Sequence, residues 1–373
     1  YILAAFLAPG TSKVYYPAIS DDTDVLLQAC IQLGAVISVE SQTDGRRILT
    51  IWGTAGHLKT PQSGTLDVGN AGAVLRLLLG ICALSSEEIT FTTPYPESLG
   101  RRPNADLLQA LTQLGATVES PTSQGTLPIK LWGGQLHGGK VCISGEKSSQ
   151  YISSLLFLGP LLEEGLDIEI VDGLTSASFI DLTIQILQEA GISVVTQERY
   201  RRYVVLGKQQ FQPREYIIPG DYPSAAALLT AVAIAKGEIA LSNLQPDDAG
   251  GESILQVFSE MGVQITRAGN TITARCYEAL RGINFDGNKT IDSVPVVAAA
   301  ACFANTPSRI YNVANLHLKE SDRIADLATE LRKLGCQVST SADAFEIGAA
   351  GAEGIYGGCL LYTSPSPRDR QKS

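Results

Sequence analysis

Methionine and histidine are scarce in this chain. There is one methionine, Met261, and the first residue is Tyr1. The three histidines, His57, His137 and His317, lie 80 and 180 residues apart, so none has the close spacing of paired metal ligands. Long apolar runs are missing as well. The longest, Ala225–Ala235 and Val296–Ala304, fall well short of the roughly 20 residues that cross a bilayer. Basic residues are outnumbered, 28 against 38 acidic ones, for a formal charge of −10. That balance speaks against a general nucleic-acid binder but not against small anionic substrates. The seven cysteines lack zinc-site spacing and point to a reducing compartment rather than a disulfide framework. With no Walker loop and no Gly-x-Gly-x-x-Gly after a strand, no cofactor is expected.

The 373 residues, 45% of them apolar, suit about two ordered domains at roughly 150 residues each. Tyr1–Gly10 reads as the second half of a helix, because it has neither the basic region nor the cleavage site of a signal peptide. From Cys359 the composition turns basic and proline-rich. Residues 359–373 resemble a translated sequencing adapter and are expected to carry no fold.

Five segments share one pattern. Leu26–Ile37, Leu107–Val118, Ile184–Val194, Ile254–Ile265 and Leu327–Val338 each carry apolar residues at helical spacing, then a glycine, then a β-type stretch. The glycine (Gly34, Gly115, Gly191, Gly262 or Gly335) can take the left-handed position that ends a helix. The glycines lie 81, 76, 71 and 73 residues apart, a period that suits a β/α subdomain with two helices and several strands. Second helices are predicted over Ala73–Leu84, Tyr151–Leu162, Ala225–Ala235 and Val294–Ala304. The proline-flanked stretch Gln212–Gly220 marks a seam, giving domains 1–218 and 219–358 with three units and two.

Three helix starts carry candidate chemistry. Gly69-Asn70-Ala71-Gly72, with Arg76 in the first turn, allows close approach of an anion to free backbone N–H groups, although it also reads as a turn and cap. Ser148-Ser149-Gln150 can cap a helix or hold a phosphate or a diol. Lys319-Glu320-Ser321-Asp322-Arg323 is either a solvated helix start or a lysine and arginine beside a carboxylate that moves a proton. Arg102 can bind an anion bidentately. Asp292 is an N-cap, with Pro295 in the first turn, or a catalytic base. Together these residues suit a two-domain cleft for phosphorylated, carboxylated substrates.

Gly69-Asn-Ala-Gly72 with Arg76, Arg102-Pro103, Ser148-Ser-Gln150, Asp292 and Asn315-Leu-His-Leu-Lys-Glu-Ser-Asp-Arg323 resemble, in order and spacing, the EPSP synthase family. The resemblance implies an α/β (α+β) enolpyruvyl-transferase fold, an inside-out α/β barrel of βαβαββ units with five of six present. It also implies transfer of the enolpyruvyl group of phosphoenolpyruvate to the 5-hydroxyl of shikimate 3-phosphate. Shikimate 3-phosphate would be held by Ser148, Ser149, Gln150, Ser176, Asn315, Lys319 and Asp292. Phosphoenolpyruvate would be held by Asn70, Gly72, Arg76, Arg102, Gln150 and Arg323, with Asp292, Glu320 and Lys319 catalytic. A monomer in the cytoplasm is expected, with a plastid left open, and with no nucleic-acid or membrane partner. Glyphosate would occupy the phosphoenolpyruvate site, since no side chain at Gly72 blocks it. Phe179, Leu77 and Ala73 depart from common family residues. The family's N-terminal Lys-Ser…Arg cluster and C-terminal arginine and lysine have no counterpart here, so the chain as given is expected to be inactive and poorly stable. Two other readings are weighed: a UDP-N-acetylglucosamine enolpyruvyl transferase, which would need a cysteine where Glu97 stands, and a non-catalytic anion-binding repeat protein.

Overall fold

The computed structural model describes residues 1–133, 136–246, 251–319, 321–349 and 355. The catalytic candidate Glu320 and the tail 359–373 lie outside the described residues. The chain divides into two compact units, Tyr1–Ile218 and Pro219–Ser373, each with its own apolar core.

In unit 1 the first repeat runs α1 (Ile2–Leu7), β1 (Pro9–Tyr15), α2 (Asp21–Gln32), β2 (Val36–Ser41), β3 (Arg47–Thr54). The second is β4 (Thr65–Asp67), α3 (Gly72–Cys82), β5 (Ile89–Thr92), α4 (Ala105–Gln113), β6 (Thr117–Glu119), β7 (Ile129–Trp132). The third is β8 (Gly139–Gly145), α5 (Gln150–Leu158), β9 (Leu166–Leu174), α6 (Ser178–Glu189), β10 (Val194–Glu198), β11 (Arg202–Val205). It is followed by β12 (Glu215–Ile217), the last strand of unit 1. Unit 2 begins with α7 (Tyr222–Ala235), β13 (Glu238–Leu241), α8 (Gly251–Glu260), β14 (Gln264–Ala268), β15 (Thr271–Arg275). It continues with β16 (Asn284–Asp286), α9 (Val294–Ala301), β17 (Ser308–Tyr311), α10 (Arg323–Lys333), β18 (Val338–Thr340), β19 (Ala344–Ile347).

One sheet plan recurs: a parallel pair at one edge, then two antiparallel strands. It gives the orders β4-β5-β7-β6, β8-β9-β11-β10 and β16-β17-β19-β18. The first repeat follows it with a borrowed strand, since β12 runs parallel to β1 in the order β12-β1-β3-β2. The fourth sheet, β13-β15-β14, has three strands among the described residues.

Local chemistry explains the helix ends. The five pattern glycines sit at φ +114, +104, +84, +104 and +90, a region closed to most side chains. Asp221 caps α7 by accepting the Ser224 N–H at 2.8 Å, with a proline in the first turn, and Asp322 caps α10 through the Ala325 N–H at 3.1 Å. The first helix of each parallel pair is apolar on nearly all faces. In α3 every residue but Ala73 and Leu77 is buried, and in α5 every residue but Gln150. Such helices form the interior of each unit, while the strands keep one face toward solvent. Helix α5 stops at Leu158, earlier than expected, and a 3-10 turn containing Pro160 follows, because proline cannot extend the backbone ladder.

Candidate functional site

Every described candidate follows the C-terminal end of a strand in a parallel pair, where loops are free of sheet hydrogen bonds and ligands commonly sit in open α/β sheets. In unit 1, Asn70 and Gly72 follow β4, Arg102 follows β5, Ser148–Gln150 follow β8, and Ser176 follows β9. The β4 loop is set by Asp67 Oδ1, which accepts the Gly69 N–H at 2.8 Å, and by Thr93 Oγ1, which donates to the Gly69 carbonyl at 2.5 Å. The amide of Asn70 is buried and makes no hydrogen bond among the described residues.

Arg76 organises this end of the unit. Although charged, it is only 2% exposed, and its guanidinium bridges the segments after β5 and β8. Its Nη1 donates to Gln150 Oε1 at 2.8 Å and to Ser148 Oγ at 3.5 Å. Its Nε donates to Asn104 Oδ1 at 3.1 Å and Nη2 to the Pro103 carbonyl at 3.4 Å. The group also lies 5.3 Å from the centre of the Tyr151 ring, within cation–π range. Burial raises the Tyr151 phenol above its ordinary range against the opposing pull of Arg76. Its hydroxyl donates to the Pro103 carbonyl at 2.6 Å.

The backbone of α3 is tied to α5 as well. Ser154 Oγ donates to the Arg76 carbonyl at 2.7 Å. A Cβ on Gly80 would fall 2.3 Å from that hydroxyl, so glycine there lets the helices meet. Gly72 serves another close approach: a Cβ would lie 2.6 Å from Arg102 Nη1 and 3.5 Å from Arg76 Nη1. The next arginine back, Arg101, instead forms an exposed ion pair with Glu97.

The serine loop does not cap its helix in the expected way. Ser149 occupies the cap position of α5 without a side-chain cap bond, while Ser148 Oγ accepts the Gln150 N–H at 3.3 Å. Ser148 and Ser149 are nevertheless buried, as is Ser176, which adopts φ +53. Thr175 joins the two serine-bearing loops: its N–H donates to the Gly145 carbonyl at 3.1 Å and its hydroxyl to the Glu146 carbonyl at 2.7 Å. Nearby, the hydrogen bond to Asp106 holds the Lys147 ammonium above its ordinary range.

In unit 2, Asp292 follows β16, while Asn315, Lys319 and Arg323 follow β17. Ser293 occupies the cap position of α9, with a proline in the first turn, so Asp292 is not the cap. Its carboxylate meets cations instead: Oδ1 lies 3.3 Å from Lys319 Nζ and 3.5 Å from Arg323 Nη1. The side chains of Asp292, Lys319 and Arg323 are 37%, 20% and 32% exposed. Asn315 lies in the 3-10 turn Ala314–Leu318. Asp322 sits at 2.8 Å from His317 Nδ1. Burial pushes its carboxyl up, but the Ala325 N–H and His317 outweigh that and leave it below the ordinary range.

The sequence reading missed Asn104, Tyr151 and Ser154. Each makes a bond to a residue 28 to 78 positions away, for which no local pattern exists. Among the described residues, no three His, Cys, Asp or Glu side chains are grouped to hold a metal ion, and no helix is long and apolar enough to cross a membrane.

A family profile described as EPSP synthase (3-phosphoshikimate 1-carboxyvinyltransferase) matches residues 1–358. A 3-phosphoshikimate 1-carboxyvinyltransferase of Deinococcus radiodurans is 42% identical over 349 residues, covering 93% of this chain and 77% of that protein. Its namesake from Methanosarcina acetivorans is 38% identical over 340 residues, covering 90% and 77%. Among solved structures, an EPSP synthase from Acinetobacter baumannii superposes with a TM-score of 0.76 at 25% identity, covering 94% of this chain and 78% of that one. The enolpyruvyl transferase NikO from Streptomyces tendae, at 17% identity and a TM-score of 0.68 over 93% and 78% of the two chains, shares the fold.

Proposed function

Because the chain belongs to the EPSP synthase family, we propose that it transfers the enolpyruvyl group of phosphoenolpyruvate to the 5-hydroxyl of shikimate 3-phosphate and releases phosphate. In this reading Ser148, Ser149, Gln150 and Ser176 of unit 1 bind shikimate 3-phosphate, with Asn315, Lys319 and Asp292 of unit 2. Asn70, Gly72, Arg76, Arg102 and Gln150 of unit 1, with Arg323 of unit 2, bind phosphoenolpyruvate. Asp292 takes the proton of the 5-hydroxyl and Glu320 protonates the methylene carbon. The neighbouring carbon then becomes electrophilic, the freed oxygen adds to it, and loss of a methyl proton with departure of phosphate completes the transfer. Lys319 and the arginines stabilise the anionic groups through these steps.

The observation that carries the chemistry is Asp292 in contact with both Lys319 and Arg323. Asp292 supplies a carboxylate oxygen as proton acceptor, and the two cations beside it suit the phosphate and carboxylate of the substrates. A pure anion binder gains nothing from a carboxylate in that place. The UDP-N-acetylglucosamine reading is disfavoured by Glu97, which stands in the expected cysteine position and pairs with Arg101. The test is release of inorganic phosphate from phosphoenolpyruvate by the enzyme carrying this chain. Release that depends on shikimate 3-phosphate supports the proposal. Release that depends on UDP-N-acetylglucosamine, or none with either acceptor, refutes it. We further propose a monomer, to be checked by sedimentation.

A further inference from the structure

We infer that Asn104 is a positioning residue that fixes Arg102 against Arg76 in unit 1; this rests on the reading of both arginines as phosphoenolpyruvate-binding. Asn104 is fully buried. Its Oδ1 accepts from Arg76 Nε at 3.1 Å, and its Nδ2 donates to the carbonyls of Arg102 at 3.0 Å and Gly125 at 2.9 Å. Both amide hydrogens are thus used on separate carbonyls, and the oxygen faces a cation. The reversed amide would set a donor against the guanidinium and an acceptor against two carbonyls, so the chemistry allows one orientation. One side chain thereby ties helix α3, the segment after β5 and the turn at Gly125.

Arg102 needs such a tie. It has left the 3-10 turn Leu99–Arg101 and adopts φ −69, ψ 135, so no helix ladder or sheet holds its carbonyl. Its guanidinium packs where a Cβ on Gly72 would come within 2.6 Å, a fit that a small backbone displacement destroys. The path of the main chain at Asn104 is fixed separately, since the N–H groups of Asn104 and Ala105 both donate to the Gln124 carbonyl, at 2.9 and 3.1 Å. Side-chain variants at position 104 therefore retain that anchor while losing the link between the arginines.

The test compares Asn104→Ala and Asn104→Asp in the enzyme carrying this chain, measuring KM for each substrate, kcat and thermal melting. The aspartate keeps an acceptor for Arg76 but faces two carbonyls without a donor, and its matching shape guards against a variant that fails through a cavity alone. Both variants are expected to raise KM for phosphoenolpyruvate about tenfold while KM for shikimate 3-phosphate changes less than about twofold. Lower melting temperatures with both KM values unchanged would overturn the inference and leave Asn104 a structural residue. Arg102→Lys separates this from the underlying reading. If that change leaves KM for phosphoenolpyruvate unaltered, the binding reading fails. If it raises KM while the Asn104 variants do not, only the positioning role fails.

Discussion

In unit 1 the guanidinium of Arg76 is buried and bonded to neutral partners, Asn104, Gln150, Ser148 and a carbonyl. In unit 2 Asp292 pairs with both Lys319 and Arg323, and all three side chains are partly exposed. Both arrangements satisfy charge, with different consequences. A buried cation held by dipoles has lost its hydration, so removing either side leaves groups unpaired where water cannot reach. A partly exposed cluster of opposite charges is worth little to stability, and an incoming anion can compete with Asp292 for its cations at small cost. The contacts around Arg76 are therefore costly to break and those around Asp292 cheap.

The largest expected effect tests the unit 2 side. Asp292→Asn removes the proposed base without changing shape, and kcat is expected to fall by about 10²–10⁴-fold. Stability is expected to move by less than about 0.5 kcal/mol, because the lost pairs are partly exposed. Steady-state kinetics and denaturant unfolding on the same preparation check both. A loss of several kcal/mol would show that the cluster is structural and break the contrast. Arg76→Ala comes next and is expected to affect both properties: a loss of about 2–4 kcal/mol from stranded buried polar groups, and a rate about a hundredfold lower. An Arg76 variant as stable as the parent would remove the distinction from the other side.

The same contrast separates what could be read in the sequence from what could not. The five helix ends were legible because each depends on adjacent residues: apolar spacing, a glycine, then β-type residues, and all five glycines have the expected positive φ. The pairing of β1 with β12 was not, since it joins residues some 200 positions apart without a local cue. Charged candidates stood out by composition, yet the sequence does not distinguish Arg76, buried among neutral partners, from Arg323, paired with an acid. Asp292 was left between cap and base, and Ser148 and Ser149 between cap and ligand. The structure removes only the cap readings: Ser293 takes the cap position of α9, and Ser149 makes no side-chain cap bond to α5. Asn104 stayed invisible because two of its three bonds, to Arg76 and to the Gly125 carbonyl, reach residues 28 and 21 positions away.

The smallest expected effect concerns a mixed case in unit 1, where a neutral group supports an ion pair. Tyr200 donates to Asp181 Oδ2 at 2.5 Å, and Arg199 pairs with the same oxygen at 2.9 Å. Burial, helped by the bond to Asp181, pushes the Tyr200 phenol from 10.0 up to about 12. A raised value means that the fold favours the protonated phenol. The stability from this bond is therefore complete below pH 10.0 and lost as the pH rises through about 12, since the unfolded chain gives up the proton more readily. Unfolding curves of the parent and Tyr200→Phe across this window isolate the contribution, because the other tyrosines titrate alike in both. The difference in stability between the two is expected to shrink with rising pH. A constant difference would mean that the Tyr200 hydroxyl acts through packing alone, and that even at its rim unit 1 relies on fixed contacts rather than on titratable ones.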